Sequence, residues 1–385
     1  MKRIAFLMGV AVLAFASCAK DTVTETNNGL AIDFRVATET RATEVNNDNL
    51  NAFKVTAISA TETTTEGANY FSDVEFTKEA GKSTYSSATP YYWPESGKLN
   101  FYAYYPTTLT NVTITKDAKT VSTFTPATTI SEQVDFVIGT GTGDKSHQTS
   151  GVQLTFNHML SQIEIQAKNT DINHVIKIAG YKISGVYGTG SLDFAGTSRT
   201  WTTSGSANST YGVVYSTTAE SGDSDVITYY PITLSSDPQV VSTSLKTTEG
   251  DDGTSTVLNI DDDGKYIADN AMLIPQVLST TGAKLEVLVN VTSAVATGTG
   301  IQIFPAAEKE YDWMEVGIST TWVIGQKYTY VLDMTNCLSQ KAIKFTTEFE
   351  PWVTGTISDN NLTPTPVTPP ATGDGGETGD DGTDA

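Results

Sequence analysis

Short segments of alternating apolar and polar residues recur through most of this 385-residue chain, and turn-forming residues separate them. Alternation with period two places every second side chain on one face, which is the pattern of a half-buried β-strand. No segment keeps the 3.6-residue period of a helix for more than about two turns, so the sequence predicts an all-β fold. The predicted strands are residues 53–58, 70–76, 99–105, 112–114, 135–138, 152–165, 175–185, 191–194, 212–215, 226–232, 266–273, 285–291, 328–332 and 343–349.

Two series of predicted strands lie on either side of residues 169–173. A chain of this length holds two or three domains of about 150 residues, and regularly spaced short strands are typical of β-sandwiches. We therefore expect an N-terminal domain over residues 42–170 and a C-terminal domain over residues 171–353. The glycine-rich residues 139–143 are expected to form a turn.

The charge of the chain excludes several functions. It has 23 Lys and Arg against 44 Asp and Glu, a net charge of -21, and no basic cluster after its first residues. Nucleic acids and anionic lipid surfaces are bound by clustered Lys and Arg, so neither partner is expected. The two cysteines, Cys18 and Cys337, cannot build a disulfide framework, and Cys337 is expected to pack in the core.

The N-terminus has the features of an export signal. Two basic residues precede an apolar run over residues 4–16, which is too short to span a bilayer core of ~30 Å, so residues 1–17 are predicted to be a signal peptide. The run ends in Phe15-Ala16-Ser17-Cys18, which resembles a bacterial lipobox and implies a mature chain anchored to a membrane through an acylated Cys18. The alternative is an ordinary secretory signal that leaves Cys18 unmodified.

The clearest strand near the N-terminus lies in the tether that follows Cys18, and a polar linker comes after it. A protease needs unpaired chain, so Arg41 in the linker is a better cleavage site than Arg35 inside the strand. A cut between Arg41 and Ala42 would separate residues 18–41 from the rest; the alternative is a solvated Arg41 without a role. The apolar positions of the strand are Leu30, Ile32, Phe34 and Val36.

The C-terminal segment, residues 354–385, differs from the rest of the chain. It is rich in Pro, Gly, Thr and acidic residues and contains no Lys or Arg. Such a segment cannot bury enough apolar surface to offset the entropy lost on ordering, so we predict a disordered tail.

Four segments together resemble the fimbrillin family of Bacteroidales, the subunits of surface fimbriae. The first joins the lipobox, the early strand and the Thr40-Arg41-Ala42 junction, and the second joins Tyr92-Trp93-Pro94 to the Leu-x-Phe-Tyr-Ala-Tyr-Tyr-Pro sequence of residues 99–106. The third contains the Leu-x-Phe-x-His sequence that ends at His158, and the fourth covers residues 322–330. The resemblance extends from Cys18 to about residue 352.

The resemblance implies two transthyretin-like β-sandwich domains in tandem and assembly by strand exchange. In that scheme a lipoprotein precursor reaches the outer membrane, an arginine-specific protease cuts after Arg41, and the strand containing Ile32 and Phe34 leaves. Other fimbrial subunits would be the partners, because the groove left behind accepts a donor strand from another chain. An adhesive subunit would also contact a host or bacterial surface ligand.

A donor strand needs apolar residues at alternate positions near the C-terminus. Residues Ile343, Phe345 and Phe349 have that spacing, but they fit the last strand of the C-terminal domain equally well. The tail beyond residue 353 has no donor character. Stalk, tip, anchor and monomeric roles therefore all stay open.

No catalytic arrangement is visible in the sequence, and we predict neither an enzyme nor a cofactor or metal site. The histidines are His147, His158 and His174, without metal-ligand spacing or a nucleophile motif, and His158 is expected to be structural. Acidic turns at 251–253 and 261–264 lack a complete set of calcium ligands.

Clustered aromatic residues leave one alternative function open, that of a monomeric carbohydrate-binding surface lipoprotein. Aromatic side chains stack on sugar rings, but in β-sandwiches they more often fill the core. The residues concerned are Tyr91, Tyr92, Trp93, Tyr102, Tyr104 and Tyr105.

Overall fold

The computed structural model describes residues 31–37, 50–61, 65–78, 82–196, 198–214, 216–218, 227–229, 231–242, 247–249, 255–257, 270–298, 300–306, 308–340 and 343–351. Within these ranges nearly all regular structure is β-strand, which confirms the all-β prediction. The helical elements of the same ranges are 3-10 turns at Ile130–Glu132, Lys145–Gln148 and Leu278–Thr280, and a four-residue α-helix, α1 (Cys337–Gln340). None of the described helices is long and apolar enough to cross a membrane.

The strands are numbered in chain order. The first thirteen are β1 (Phe34–Ala37), β2 (Ala52–Ala60), β3 (Glu66–Lys78), β4 (Thr84–Ser87), β5 (Lys98–Tyr105), β6 (Val112–Ile114), β7 (Lys119–Phe124), β8 (Val137–Gly143), β9 (Val152–His158), β10 (Ser161–Lys168), β11 (His174–Val186), β12 (Thr189–Asp193) and β13 (Thr200–Ser204). The others are β14 (Ser209–Val214), β15 (Ser216–Thr218), β16 (Ile227–Tyr229), β17 (Ile232–Thr233), β18 (Gln239–Val240), β19 (Thr247–Glu249), β20 (Ser255–Val257), β21 (Ala271–Leu273), β22 (Lys284–Ser293), β23 (Gln302–Phe304), β24 (Asp312–Gly317), β25 (Gln326–Asp333) and β26 (Lys344–Pro351).

Seven strands close into a barrel in the order β1-β4-β3-β2-β5-β8-β9. Its alternate side chains point inward and form an aromatic core that includes Phe53, Phe76, Phe101 and Phe156, all at most 1% exposed. Strand β1 completes the ring, because it pairs antiparallel with β4 and parallel with β9.

Two further sheets, called here the C-terminal sheets, enclose a second core. One has the order β18-β10-β25-β26 with β21 beside β10, and the other has the order β14-β11-β22-β23 with β17 beside β11 and β24 beside β22. Their facing side chains include Tyr181, Val287, Tyr330 and Trp322, and the Trp322 indole N–H donates to the Tyr330 hydroxyl at 3.0 Å. The shorter ladders β15-β16 and β19-β20 form separate hairpins.

A four-stranded sheet, β13-β12-β7-β6, joins strands from before and after residue 170. The chain passes from the barrel to the C-terminal sheets between His158 and Ser161, because β9 belongs to the barrel and β10 to the second unit. A core that includes Met159 and Leu160 fills this junction. The division into two sandwich domains at residue 170 stays a prediction, because the strands on either side of it, β10 and β11, both belong to the C-terminal sheets.

The expected turn at residues 139–143 is wrong, because these glycines lie inside β8. A Cβ atom on Gly139 would lie 2.7 Å from the Phe156 ring, and one on Gly143 would lie 2.8 Å from the Trp93 ring. Glycine at every second position thus makes room for large side chains of the barrel. The predicted strand 152–165 is two strands in different sheets, and β7 escaped prediction because its buried Lys119 hides the apolar alternation.

We expect Gly139→Ala to lower the free energy of unfolding by about 1–3 kcal/mol, because the added methyl group overpacks the core against Phe156. Gly317→Ala is the matched control, since nothing lies within 4 Å of a Cβ at that strand position, and it should change stability by less than about 0.5 kcal/mol. Urea unfolding of both variants measures the difference. Equal stabilities would show that β8 does not pack against Phe156.

A buried ion pair joins the barrel to the four-stranded sheet. The Lys119 ammonium is 2.7 Å from the Glu66 carboxylate, and its side chain is 4% exposed. Burial by itself raises the pKa of Glu66, but hydrogen bonds from Lys119, Tyr102 and Asn100 outweigh it, so the pKa lies below the usual 4.5. A lowered folded pKa stabilises the protein above pH 4.5, and this contribution is lost as the pH falls through the folded value.

We therefore expect the stability of the wild-type chain to fall more steeply than that of Glu66→Gln between about pH 5 and pH 3. The glutamine keeps hydrogen-bonding groups but cannot titrate. Urea unfolding across this range measures both slopes. Parallel slopes would show that Glu66 has the same pKa in the folded and unfolded chains.

Candidate functional site, the strand that closes the barrel

The backbone of β1 is paired on both sides at Phe34 and Arg35, and with β9 alone at Val36 and Ala37. Phe34 lies opposite Tyr85 of β4 and opposite Val152 of β9. The Ile32 N–H donates to the Tyr91 carbonyl at 2.7 Å, and the Val152 N–H donates to the Asp33 carbonyl at 2.9 Å. Main-chain hydrogen bonds to β4, to β9 and to Tyr91 therefore hold this short segment in the barrel.

The inward side chains of this segment lie deep in the barrel core. Ile32 is 1% exposed and Phe34 is fully buried. The Phe34 ring makes edge contacts with the rings of Phe76 and Phe101, at centroid distances of 4.7 and 4.9 Å. Val36 is half-buried against the same core. Because edge-to-face contacts add to the burial of the ring, Phe34 is the main apolar contact of β1.

The wall that receives β1 has an anchor of its own. The Tyr85 hydroxyl on β4 donates to the Leu50 carbonyl at 2.6 Å, and burial raises the pKa of Tyr85 to about 12. The phenol is therefore protonated at neutral pH and keeps this bond. Neither Tyr85 nor Leu50 belongs to β1, so the bond tying β4 to the start of β2 does not depend on β1.

Without β1, the strands β4 and β9 would become the edges of an opened barrel. Each edge would expose unpaired N–H and C=O groups, and the place of Ile32 and Phe34 would be an apolar slot between them. Such an edge is a template for pairing with another strand. The candidate site is therefore this slot together with its two bordering strands.

Several predicted site residues lie outside the described residues, namely Cys18, Leu30, Arg41 and Ala42. Arg35 is described, and its side chain is exposed while its backbone pairs with both Thr84 and Gln153. A protease cannot bind extended chain that is paired on both sides, which agrees with the choice of Arg41 over Arg35. Ile32, Phe34 and Val36 share the face that packs against the barrel core, and their displacement stays a prediction.

The predicted terminal strand or donor segment forms β26, which pairs antiparallel with β25 at the end of a C-terminal sheet. Ile343, just before it, is buried, and the half-buried Phe345 ring lies 5.9 Å from the Tyr330 ring. Phe349 is 73% exposed. In this conformation the segment is the last strand of its own sheet.

The aromatic residues considered for sugar binding are mostly used inside the fold. Trp93 is 5% exposed and packs edge-on against Phe101 at 5.9 Å, and Tyr104 is 2% exposed. Tyr92 is half-exposed, but its carbonyl accepts a hydrogen bond from the Tyr70 hydroxyl at 2.7 Å. These residues therefore do not form one exposed platform.

Each described histidine lies beside an aspartate. His158 Nδ1 is 2.7 Å from the Asp135 carboxylate, and both side chains are almost fully buried. His147 lies beside Asp144 and His174 beside Asp171, both in partly exposed turns. In the part of the chain that the structure describes, no group of acidic, His and Cys side chains could hold a metal ion.

The proximity of Asp135 to His158 was not predicted from the sequence. The predicted strands did not indicate this pair, because His158 lies inside the predicted strand 152–165 and becomes a strand end only when that segment divides into β9 and β10. The register of β8 and β9 sets Val137 opposite His158. Cys337, by contrast, is buried as expected, and burial raises the pKa of its thiol.

Fold and site together define an all-β protein whose short N-terminal strand completes a barrel and whose C-terminal strand ends an open sheet. A family model described as fimbrillin-like matches residues 40–352, and the chain belongs to the fimbrillin-like family. The resemblance noted in the sequence is thereby confirmed.

Solved structures match most of this chain at low sequence identity. A fimbrial protein from Bacteroides vulgatus is 19% identical, with 84% of this chain and 99% of that chain covered at a TM-score of 0.52. The fimbrial anchor protein Mfa2 from Porphyromonas gingivalis is 12% identical, with 85% and 99% covered at a TM-score of 0.31. The first of these similarities shows the fold alone. No curated protein matches the sequence.

Proposed function

We propose that this chain is a structural or adhesive subunit of cell-surface fimbriae, exported as a lipoprotein and assembled by donor-strand exchange after cleavage at Arg41. The observation that carries the proposal is the position of β1, which closes the barrel through two deeply buried side chains, Ile32 and Phe34. Membership in the fimbrillin-like family supports the same role.

Export would begin with the signal peptide, residues 1–17, and acylation of Cys18. Several acyl chains hold a protein stably on a bilayer, because each buried methylene contributes about 0.8 kcal/mol. The precursor would then be attached to the cell outer membrane, with the barrel facing the cell surface. At the cell surface, an arginine-specific protease would cut the chain after Arg41.

Cleavage between Arg41 and Ala42 would leave β1 held only by non-covalent contacts. Burial of a side chain such as Ile32 or Phe34 contributes about 1.5–3 kcal/mol. An emptied slot loses this contribution and exposes two strand edges, so the opened barrel is expected to bind a replacement strand by β-augmentation. The strand would come from another fimbrial subunit.

The best donor in this sequence is the segment that contains Ile343, Phe345 and Phe349. These residues lie on one face of the segment, as do the apolar residues of the strand that it would replace, although Thr347 interrupts the alternation. Phe349 is 73% exposed at the edge of its sheet, whereas Phe34 is fully buried in the slot. A phenylalanine that moves from the edge to the slot gains burial, which would offset part of the cost of separating β26 from β25.

Treatment of the purified precursor with an arginine-specific protease tests the proposal. We expect one early cut, a new N-terminus at Ala42, loss of residues 18–41 and a ladder of oligomers that heat dissociates. Arg41→Ala should remain uncut and form no heat-labile ladder under the same conditions. Arg35→Ala is the matched control and should behave like the wild type, because the backbone of residue 35 is paired on both sides.

A labelled peptide with the sequence of residues 343–351 tests the slot itself. It should bind the cut protein more tightly than the Arg41→Ala protein, and a peptide with aspartate in place of Phe345 should lose this difference. A cut protein that keeps its N-terminal fragment, stays monomeric and ignores the peptide would contradict strand exchange.

A further inference from the structure

Strand β26 is an edge strand with an unusual surface. Among the described strands it pairs only with β25, which leaves its other edge without a strand partner in that part of the chain. Most of its side chains are exposed, including Lys344, Glu348, Phe349 and Glu350. Exposed edges of this length are normally covered or protected, because they pair readily with other strands.

The sequence of this edge is complementary to itself. In an antiparallel pair of two copies of β26 that is centred on Thr347, Lys344 lies opposite Glu350 and Phe345 lies opposite Phe349, and each of these pairs occurs twice. Thr346 lies opposite Glu348, and Thr347 lies opposite its own copy. Opposite charges and paired aromatic rings directly across two strands are both favourable.

Neighbouring registers are worse. Directly opposed residues in an antiparallel pair lie on the same face of the sheet. A symmetric pair of β26 strands is therefore centred on a residue, and the registers next to Thr347 are those centred on Thr346 and on Glu348. A centre at Thr346 restricts pairing within β26 to residues 344–348, and it leaves Glu350 without an opposite residue of the strand. A centre at Glu348 sets that carboxylate against its own copy. The register centred on Thr347 pairs all residues from 344 to 350.

We propose that two copies of this chain associate through β26, antiparallel across a two-fold axis at Thr347, so that one C-terminal sheet continues into the other. Phe349, which is 73% exposed, is then covered by the partner's strand. Glu350 is 68% exposed and 3.8 Å from Lys327, and it gains a second cation from Lys344 of the other copy.

This association leaves β26 in its own sheet, so it does not depend on cleavage or strand exchange. It also covers the segment proposed as the donor, which would hold that segment in place before cleavage. An experiment can therefore contradict dimerisation through β26 without contradicting strand exchange, and the reverse. The Arg41→Ala chain cannot release β1, and it should still dimerise through β26.

Sedimentation of residues 19–385 carrying Arg41→Ala, at concentrations from about 1 to 100 µM, tests the dimer. We expect Lys344→Glu and Glu350→Lys each to weaken association at least about tenfold, because each places like charges opposite one another at two symmetric positions. The double variant Lys344→Glu/Glu350→Lys should restore it. Both side chains are exposed, so circular dichroism should show unchanged folding in all three variants.

A cysteine at the symmetry axis gives an independent readout. Thr347→Cys should form a disulfide-linked dimer on mild oxidation, because Cα atoms of opposed residues lie about 4.5–5.5 Å apart. Thr346→Cys is the matched control and should not link, because its own copy is displaced by two residues to about 8 Å.

A monomer at all concentrations would overturn the proposal. So would a double variant that fails to restore association, or cross-linking that is equal at residues 346 and 347. If the chain dimerises only when it ends at residue 351, its own C-terminal segment covers the edge and the proposal fails for the full chain.

Discussion

Replacing Phe34 with alanine is expected to lower the free energy of unfolding by about 3–5 kcal/mol, which is the usual cost of removing a buried phenylalanine ring. The ring is fully buried and contacts Phe76 and Phe101 edge-on, so its loss leaves a cavity between β1 and the far wall of the barrel. Urea unfolding measures the change. Hydrogen exchange of β1 and of its neighbours β4 and β9 shows where it acts.

Arg35→Ala is the matched control for this experiment. Residue 35 lies on the same strand, but its side chain is exposed, so the change should be within about 0.5 kcal/mol. For Phe34→Ala, exchange should accelerate in β1 and in the facing edges of β4 and β9, and not in the C-terminal sheets. A loss of less than about 1 kcal/mol would mean that the barrel closes without the ring.

Replacing His158 with leucine should lower stability by a similar amount, about 3–5 kcal/mol. His158 and Asp135 form an almost completely buried pair at 2.7 Å, and the leucine variant leaves the carboxylate inside the protein without the imidazole. The pair lies where the chain leaves the barrel, next to the Met159 N–H that donates to the Phe136 carbonyl at 2.8 Å. Loss of the pair should therefore loosen the junction as well as the barrel.

The double variant Asp135→Leu/His158→Leu shows how much of the lost stability comes from the interaction between the two side chains and how much from removal of the histidine alone. Replacing both partners of a buried polar pair with apolar residues of similar size is often close to neutral, so the double variant should be more stable than either single variant. Urea unfolding of the four proteins gives the coupling energy. If the two single losses simply add, the pair does not act as a unit and its role at the junction is wrong.

The sequence allowed the strand inventory to be predicted wherever alternation was simple. The alternation of Ile32, Phe34 and Val36 correctly indicated one buried face, because the neighbours of β1 lie on both sides and only one face meets the core. Prediction from alternation failed where contacts with side chains of other strands determine the local structure. Gly139 looks like a turn residue until Phe156 is known to pack on it, and Lys119 looks exposed until Glu66 meets it.

The candidate site was predictable as a strand and a linker, but not as the closure of a barrel. Parallel pairing of β1 with β9 joins residues more than a hundred positions apart, and no local pattern records that contact. The edge position of β26 likewise could not be predicted from a local sequence pattern. Its alternation is visible in the sequence, whereas its location at the end of a sheet depends on β10 and β25 pairing in parallel.

The central claim is that the chain matures by losing its first strand at Arg41 and then assembles into fimbriae. The most direct test is the intact mass and N-terminal sequence of the chain recovered from the outer-membrane and shed fractions of cells that make it. We expect a mature form that begins at Ala42 and migrates as a ladder that heat dissociates. A chain that begins at an acylated Cys18 and stays monomeric would contradict the account.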